Sequence, residues 1–219
     1  MCTNFVLIKR DGTATLADRL MVDQDEFLFN PDVAPGAKIS IIIERDGTRQ
    51  VKTAIWWLYL QQMETGFKPN RNYFSVNSSH AKLKKRLEYK TSRCIIPATA
   101  FVESQDGKRP HLLIPRDGSA LAFGGLWKEW IDEETGEIIY SASIITLAGH
   151  PALENIHRKS TPLWLPDEAF DQWLDPNITD TSNFDDLLAP ALRTDLTATP
   201  IDKTRSKQPI AESFTVSAE

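Results

Sequence analysis

Short Asp-Gly pairs between apolar, β-branched segments constrain the fold of this chain more than any other feature. Asp46-Gly47, Asp106-Gly107 and Asp117-Gly118 each separate two such segments, and Thr135-Gly136 separates another two. These pairs tolerate the positive backbone angles that a tight hairpin turn requires. The predicted strand pairs are 39–45 with 50–58, 95–102 with 111–115, and 120–130 with 138–147.

Helical patterns are short and lie between the strands. They are predicted near 12–20, 24–29, 78–90, 150–156, 166–174 and 183–190. Hairpins with interspersed helices indicate an α+β fold, a mainly antiparallel sheet or barrel with several short helices packed around it. We predict a single domain over 1–195, followed by a polar tail at 196–219 that is partly disordered.

Composition narrows the possible functions. The net charge is −5, whereas proteins that coat duplex DNA are usually basic, so any nucleic-acid role must be local. Cys2 and Cys94 make no disulfide framework, and the sequence has no metal-binding CxxC or HExxH pattern. No apolar run reaches the length of a membrane span. We therefore expect a cytoplasmic monomer without metal or cofactor.

Cys2 offers the most unusual chemistry. If Met1 is removed, one residue carries both a free α-amine, which titrates at about pH 8, and a thiol. The amine can condense with an aldehyde, and the thiol can then close on the imine carbon to give a thiazolidine. The alternative is that Cys2 is an ordinary buried thiol near the start of a strand.

Three other polar side chains follow apolar stretches. Asn77 ends the stretch at 74–76, and Glu103 ends an apolar strand that begins at Cys94. Burial would raise the pKa of Glu103 and suit it to acid–base chemistry. His157 lies just past a short helical segment. Taken singly, each of these side chains is more typical of a structural or surface role.

Charge is unevenly distributed along the chain. Basic residues crowd the segment 80–93, and on a helix Lys82, Lys85 and Arg86 would share a face while Leu83 and Leu87 point inward. That face is either an ordinary solvated surface or a ridge that binds phosphates. The segment 167–186 holds seven acids and no Lys or Arg, so we expect it to lie away from any DNA.

An ordered set of short motifs, from Cys2 to about Leu174, resembles one known family. The matching stretches are Met1-Cys2 with Phe5, 33–36, 55–58, 74–77, 93–98 with Phe101 and Glu103, 124–127, Ile145-Thr146, and Ile156-His157 with Pro162. Any one of these would be coincidence, but their order, with a cysteine at position 2, is specific. The chain resembles the SRAP family, the SOS-response-associated peptidase-like proteins.

The resemblance implies a function in the DNA damage (SOS) response, in the bacterial cytosol or nucleoid. SRAP proteins remove the initiator Met, bind single-stranded DNA and crosslink the ring-opened aldehyde of an abasic site as a thiazolidine. Cys2 would supply amine and thiol, while Asn77 would hold the N-terminal residue and the sugar. Glu103 would shuttle protons, and His157 would serve proton transfer near the deoxyribose. A lyase side reaction could follow from the same imine.

Single-strand binding usually combines a basic groove with aromatic stacking platforms. The candidate stacking residues, each of which could instead pack in the core, are Trp56, Trp57, Phe67, Tyr73 and Trp127. The candidate polar DNA contacts are Arg71, Ser79, Lys82, Lys85, Arg86, Thr146, Arg158 and Lys159. Thr146 also suits a supporting role behind the site.

The chain departs from the family pattern at DNA-positioning residues. Ser79 and Ser160 stand where family members commonly carry arginine, and Ser104 stands where an aromatic residue follows the glutamate. Two other functions therefore stay open. One is a peptidase or amidohydrolase that uses the Cys2 thiol, with a Cys94–His157 pair as a weaker variant. The other is a non-catalytic nucleic-acid or protein-binding module on the same scaffold.

Overall fold

The computed structural model describes residues 2–105 and 107–218. Its strands are β1 (Phe5–Leu7), β2 (Asn30–Val33), β3 (Lys38–Arg45), β4 (Thr48–Trp56), β5 (Leu60–Met63), β6 (Gly66–Pro69), β7 (Asn77–Ser79), β8 (Arg93–Ala98), β9 (Ala100–Gln105), β10 (Lys108–Pro115), β11 (Leu121–Ile131), β12 (Ile138–Leu147), β13 (Thr161–Pro162), β14 (Leu196–Pro200) and β15 (Phe214–Val216). The α-helices are α1 (Asp11–Leu20), α2 (Leu87–Thr91), α3 (Glu154–His157) and α4 (Phe170–Leu174). Single 3₁₀ segments cover Gln24–Glu26, His80–Lys85, Pro151–Leu153, Asp167–Ala169 and Thr181–Leu188. The predicted α+β class is confirmed.

Five strands close into a barrel. They run in the order β11-β8-β3-β4-β12, and β12 pairs back onto β11. Neighbouring strands are antiparallel except for β4 and β12, which are parallel. The short strands β7 and β13 extend the barrel along β12. This arrangement places Asn77, at the start of β7, beside Ile144.

A second, antiparallel sheet packs against the barrel in the order β15-β14-β10-β9-β1-β2. Aromatic rings form the contact between the two sheets. The Phe5 ring lies 5.0 Å from that of Trp56, and the Phe101 ring lies 5.7 Å from that of Phe123. These contacts hold β1, a strand of the second sheet, against the barrel, and with it the N-terminal residues.

The hairpins at 39–45 with 50–58 and at 120–130 with 138–147 are confirmed, whereas the strand predicted at 95–102 is interrupted. It breaks at Thr99, so β8 belongs to the barrel and β9 to the second sheet. The Thr99 N–H donates to the Val6 carbonyl at 2.6 Å, which ties the crossing point to β1. The Asp117-Gly118 turn likewise connects two different sheets rather than a hairpin. Asp106 lies outside the described residues.

The single helix predicted at 78–90 is also wrong. A 3₁₀ segment, His80–Lys85, is separated from α2 by Arg86, whose backbone is extended. Leu83 is buried as predicted, but Leu87 is 70% exposed and does not point inward. Because the break rotates the second half of the segment, the basic side chains do not follow one helical face.

The C-terminal segment is part of the fold, which corrects the tail predicted at 196–219. β14 pairs with β10 along its full length, and β15 pairs with β14. Leu196, Ala198, Ile201 and Val216 are buried. In β14, the buried side chains of Leu196 and Ala198 alternate with more polar side chains that point outward. Because of this alternation, the segment as a whole is polar in composition.

Candidate active site

The four predicted catalytic residues come together where the two sheets meet. Cys2 precedes β1, Asn77 begins β7, Glu103 lies on β9, and His157 ends α3. Cys2 is fully buried, and Glu103 and His157 are 3% and 6% exposed. Residues separated by as many as 155 positions in the sequence, from 2 to 157, therefore form one enclosed polar cluster.

Asn77 holds the N-terminal segment in place. Its side-chain Nδ2 donates to the Cys2 carbonyl at 2.8 Å. The Cys2 Sγ lies 3.6 Å from the Asn4 carbonyl, which fits a weak S–H hydrogen bond. The other amide atom of Asn77, Oδ1, is buried and has no hydrogen-bond partner among the described residues. Asn77 therefore fixes Cys2 with one atom and keeps an acceptor for a donor group in the site.

Burial changes the protonation of both reactive side chains. It raises the pKa of Glu103 to about 7, so this carboxyl exchanges a proton near neutral pH. Burial, reinforced by the nearby Glu103 charge, also raises the pKa of the Cys2 thiol. The thiol is thus neutral, and Glu103 is the acid–base group suited to take its proton.

The imidazole of His157 is held by hydrogen bonds at both nitrogens. Nδ1 lies 2.7 Å from the Ser104 carbonyl, which can only accept, so Nδ1 carries the proton. Nε2 lies 3.2 Å from Ser160 Oγ, and in the neutral ring it accepts from that hydroxyl. Glu103 Oε2 lies 3.8 Å from Nδ1. From the sequence, Ser160 was identified only as a position where family members carry arginine, and because α3 ends at His157, no helical spacing indicated this contact.

The predicted stacking residues differ sharply in exposure. Trp56 is fully buried and its indole N–H donates to the Val76 carbonyl at 2.9 Å, so its assignment to DNA stacking is wrong. Trp57 and Trp127 are nearly buried, and Phe67 packs against Trp130. Tyr73, in contrast, is 62% exposed.

The predicted polar DNA contacts also divide into two groups. Ser79, Arg71, Lys82, Lys85, Arg158 and Lys159 are exposed. Arg86 is not available in the same way, because its guanidinium donates to Tyr59 Oη at 2.6 Å and lies over the Tyr59 ring. The Thr146 side chain is 4% exposed, which excludes a direct DNA contact and leaves the supporting role.

The acidic segment at 167–186 makes an ion pair with the basic segment at 80–93, and its position away from any DNA stays a prediction. Lys84 Nζ lies 3.0 Å from Asp185 Oδ2. Long side chains of opposite sign pair when the fold brings them together, and no local sequence pattern reveals such a pair. Part of the charge in the segment 80–93 is therefore neutralised within the protein.

Two surface grooves differ in their relation to the cluster. One, of about 510 Å³, is lined by Trp57, Lys68, Asn70, Arg71 and Asn72 among others. It lies beside the segment that leads to Asn77. A larger groove, of about 690 Å³, lies between α1 and the loops at 117–120 and 164–168, and includes none of the four cluster residues. The smaller groove likewise includes none of the four cluster residues, and only the closeness of its residues 70–72 to Asn77 along the chain relates it to the site.

Within residues 2–105 and 107–218, no group of three or more His, Cys, Asp or Glu side chains could hold a metal ion. The helices of the same ranges include none that is long and apolar enough to cross a membrane.

The site thus joins the buried Cys2 thiol, a carboxyl and an imidazole where a closed barrel meets a second sheet. The family model described as SOS response associated peptidase (SRAP) matches residues 1–207. The chain belongs to the SRAP family.

Two named relatives agree with that membership, and a solved structure agrees with the fold. The chain is 29% identical over 201 residues to abasic site processing protein YoqW of Bacillus subtilis, covering 87% of each chain. It is 27% identical to abasic site processing protein YobE of Bacillus subtilis, covering 97% of this chain and 100% of the relative. A crystal structure of a protein from Bacteroides thetaiotaomicron has a TM-score of 0.70 at 20% identity, covering 90% of this chain and 92% of that one. At that identity the structure supports the fold alone.

Proposed function

We propose that this protein processes abasic sites in single-stranded DNA and forms a covalent thiazolidine crosslink through Cys2. The observation that carries the proposal is the burial of Glu103, with a pKa of about 7, in the same cluster as Cys2 and His157. The names of the two Bacillus relatives support the general activity.

The first step requires the α-amine of Cys2, which is free only after Met1 is removed; Met1 lies outside the described residues. The amine adds to the aldehyde carbon of the ring-opened abasic sugar. Loss of the resulting hydroxyl as water then needs a proton, and the protonated form of Glu103 is suited to supply it. The product is a protonated imine that joins the nitrogen of Cys2 to the sugar carbon, and Glu103 is left as a carboxylate.

The second step closes the ring. The Cys2 sulfur adds to the carbon of the protonated imine, its proton goes to Glu103, and the C=N electron pair returns to the nitrogen, which keeps its single proton. Because burial raises the pKa of the thiol, the step depends on a base at close range. Glu103, left as a carboxylate by the first step, is that base, so one side chain serves both steps.

Asn77 positions the reactants, and His157, held by Ser104 and Ser160, serves proton transfer near the sugar. The bond from Asn77 Nδ2 to the Cys2 carbonyl orients the amine and thiol. The exposed cations Arg71, Arg158 and Lys159 would contact phosphates, and Tyr73 would stack on a base. These cations would take over from the arginines that Ser79 and Ser160 replace.

The proposal is tested by mixing purified protein with single-stranded DNA that carries one abasic site and separating the products on a denaturing gel. Wild-type protein should shift the DNA to a protein-sized adduct, and Cys2→Ala should not. Cys94→Ala is the matched control, because Cys94 is an equally buried thiol in the barrel. An adduct that survives Cys2→Ala, or that is lost in Cys94→Ala with folding intact, would contradict the proposal.

A further inference from the structure

Asp32, at the edge strand β2, joins the two ends of the chain. Its Oδ1 accepts from the side chain of Asn4 at 2.8 Å and from Lys207 Nζ at 2.6 Å. Arg205 Nε lies 3.7 Å from Oδ2. Asn4 is two residues from Cys2 in the sequence. Arg205 and Lys207, in contrast, follow Cys2 by almost the whole length of the chain.

Lys207 is held in an unusual conformation for this contact. Its φ of 53° lies in the left-handed region, which a side chain other than glycine adopts at a cost in free energy. Its N–H donates to the Lys203 carbonyl at 2.9 Å, and its side chain is only 12% exposed. The strained backbone therefore directs a mostly buried cation toward Asp32 rather than toward solvent.

The C-terminal loop that carries Lys207 is itself braced. Asp202 Oδ1 accepts from Ser206 Oγ at 2.6 Å and from the Gln208 N–H at 3.0 Å. Partial burial alone would raise the pKa of Asp32, but hydrogen bonds from Lys207 and Asn4 hold it below its ordinary value. Asp32 is therefore charged at neutral pH, and its contact with Lys207 is an ion pair.

Asn4 transmits this contact to the reacting groups. Its side chain is bonded to Asp32, and its backbone carbonyl accepts from Cys2 Sγ at 3.6 Å and from the Val102 N–H at 2.9 Å. Val102 immediately precedes Glu103. Asn4 thus lies between the two groups that must approach each other, and Asp32 determines where its side chain is held.

We propose that Asp32 and Lys207 are positioning residues for Cys2 and act through Asn4. The C-terminal loop thereby determines how far the amine and the thiol of Cys2 lie from Glu103. This rests on the proposed function. The pair touches no reacting atom. Its effect should appear in the rate of crosslink formation and not in DNA affinity, because no DNA contact is removed.

The test compares Lys207→Gln with Lys203→Gln, which removes an exposed cation from the same loop and is the matched control. Single-turnover crosslinking is measured at saturating abasic single-stranded DNA, and affinity is measured separately in a Cys2→Ala background. Lys207→Gln should slow crosslinking roughly tenfold, since displacing a reacting group by about 1 Å can cost a factor of about 100. Affinity should not change, Lys203→Gln should leave the rate intact, and Lys207→Arg should restore most of it.

Hydrogen exchange of the amides at 2–7 provides a readout that does not depend on crosslinking. These amides should exchange faster in Lys207→Gln and in Asp32→Asn than in wild type. If wild-type protein forms no adduct, the proposed function fails, and the exchange data alone decide the role of the pair. Equal rates and equal exchange for Lys207→Gln and Lys203→Gln would overturn the inference, as would a parallel loss of rate, affinity and thermal stability.

Discussion

At the scale of single residues, Glu103 determines what the site can do. An ionised carboxylate in a buried position is costly, and the protein reduces that cost by keeping the side chain partly protonated near neutral pH. The sequence predicted this effect, because an apolar strand that ends in one carboxylate places that group at the edge of the core. Local patterns could not predict His157 beside Glu103, since 54 positions separate them, and only the resemblance to the family put both in one site.

The raised pKa of Glu103 makes stability depend on pH. Because the folded state retains this proton up to about pH 7 and the unfolded state releases it near 4.5, the stabilisation is greatest below 4.5 and is lost as the pH rises to 7. Between about pH 5 and about pH 8, the wild-type free energy of unfolding should fall by roughly 2–3 kcal/mol more than that of Glu103→Gln. Urea unfolding at the two pH values measures this difference, and parallel curves would refute it.

Tyr73 and Trp56 should separate DNA binding from stability. Tyr73→Ala removes an exposed ring and should weaken single-stranded DNA binding by about 1–3 kcal/mol with little change in stability. Trp56→Ala leaves a cavity in the barrel and should cost about 3–5 kcal/mol of stability. Fluorescence anisotropy with a labelled oligonucleotide, in a Cys2→Ala background, and thermal unfolding measure the two effects. If Trp56→Ala lost affinity for DNA and Tyr73→Ala did not, these two assignments would be wrong.

At the scale of elements, local sequence patterns predicted two hairpins correctly, but they did not reveal where a strand leaves one sheet for the other. The turn at Asp46-Gly47 and the strands on either side of it suffice to define a hairpin. In contrast, the switch of sheets at Thr99 depends on a hydrogen bond to Val6, 93 positions earlier. The apolar run at 95–102 carries no signal for that break, so a single strand was predicted where two exist.

The close approach of β11 and β12 depends on Gly125. A Cβ at this position would lie 2.8 Å from the Ser143 carbonyl oxygen, which belongs to the neighbouring backbone and cannot move freely. Gly125→Ala should therefore cost about 1–3 kcal/mol of stability. Ile131→Ala, at the exposed end of the same strand, should change stability by no more than about 0.5 kcal/mol. Denaturant unfolding of both variants tests this, and a neutral Gly125→Ala would show that the strands can separate.

At the scale of the whole molecule, the C-terminal segment completes the second sheet. Deletion of 196–219 leaves the edge of β10 unpaired and removes the buried side chains of Leu196, Ala198, Ile201 and Val216, so the truncated protein should lose cooperative unfolding. Arg205→Ala, an exposed change in the same segment, should leave the unfolding transition nearly unchanged. Calorimetry of the two proteins measures the effect. A truncated protein that unfolds with the wild-type transition would show that the segment 196–219 is a dispensable tail.

The sequence identified the residues of the site better than it predicted their arrangement in space. Four residues that occur in the order expected for the family were enough to identify the candidates Cys2, Asn77, Glu103 and His157. The contact between Asp32 and Lys207 spans 175 positions and joins two residues in unremarkable sequence contexts. Such contacts follow from the topology of the sheets, which no local pattern encodes.

The central claim is that Cys2 reacts through both its amine and its thiol. Intact-protein mass spectrometry after incubation with single-stranded DNA carrying one abasic site tests this claim most directly. The expected species has the mass of the protein without Met1, plus one oligonucleotide, minus one water, and it is absent in Cys2→Ala. Fully processed protein that remains at its own mass after prolonged incubation would contradict the account.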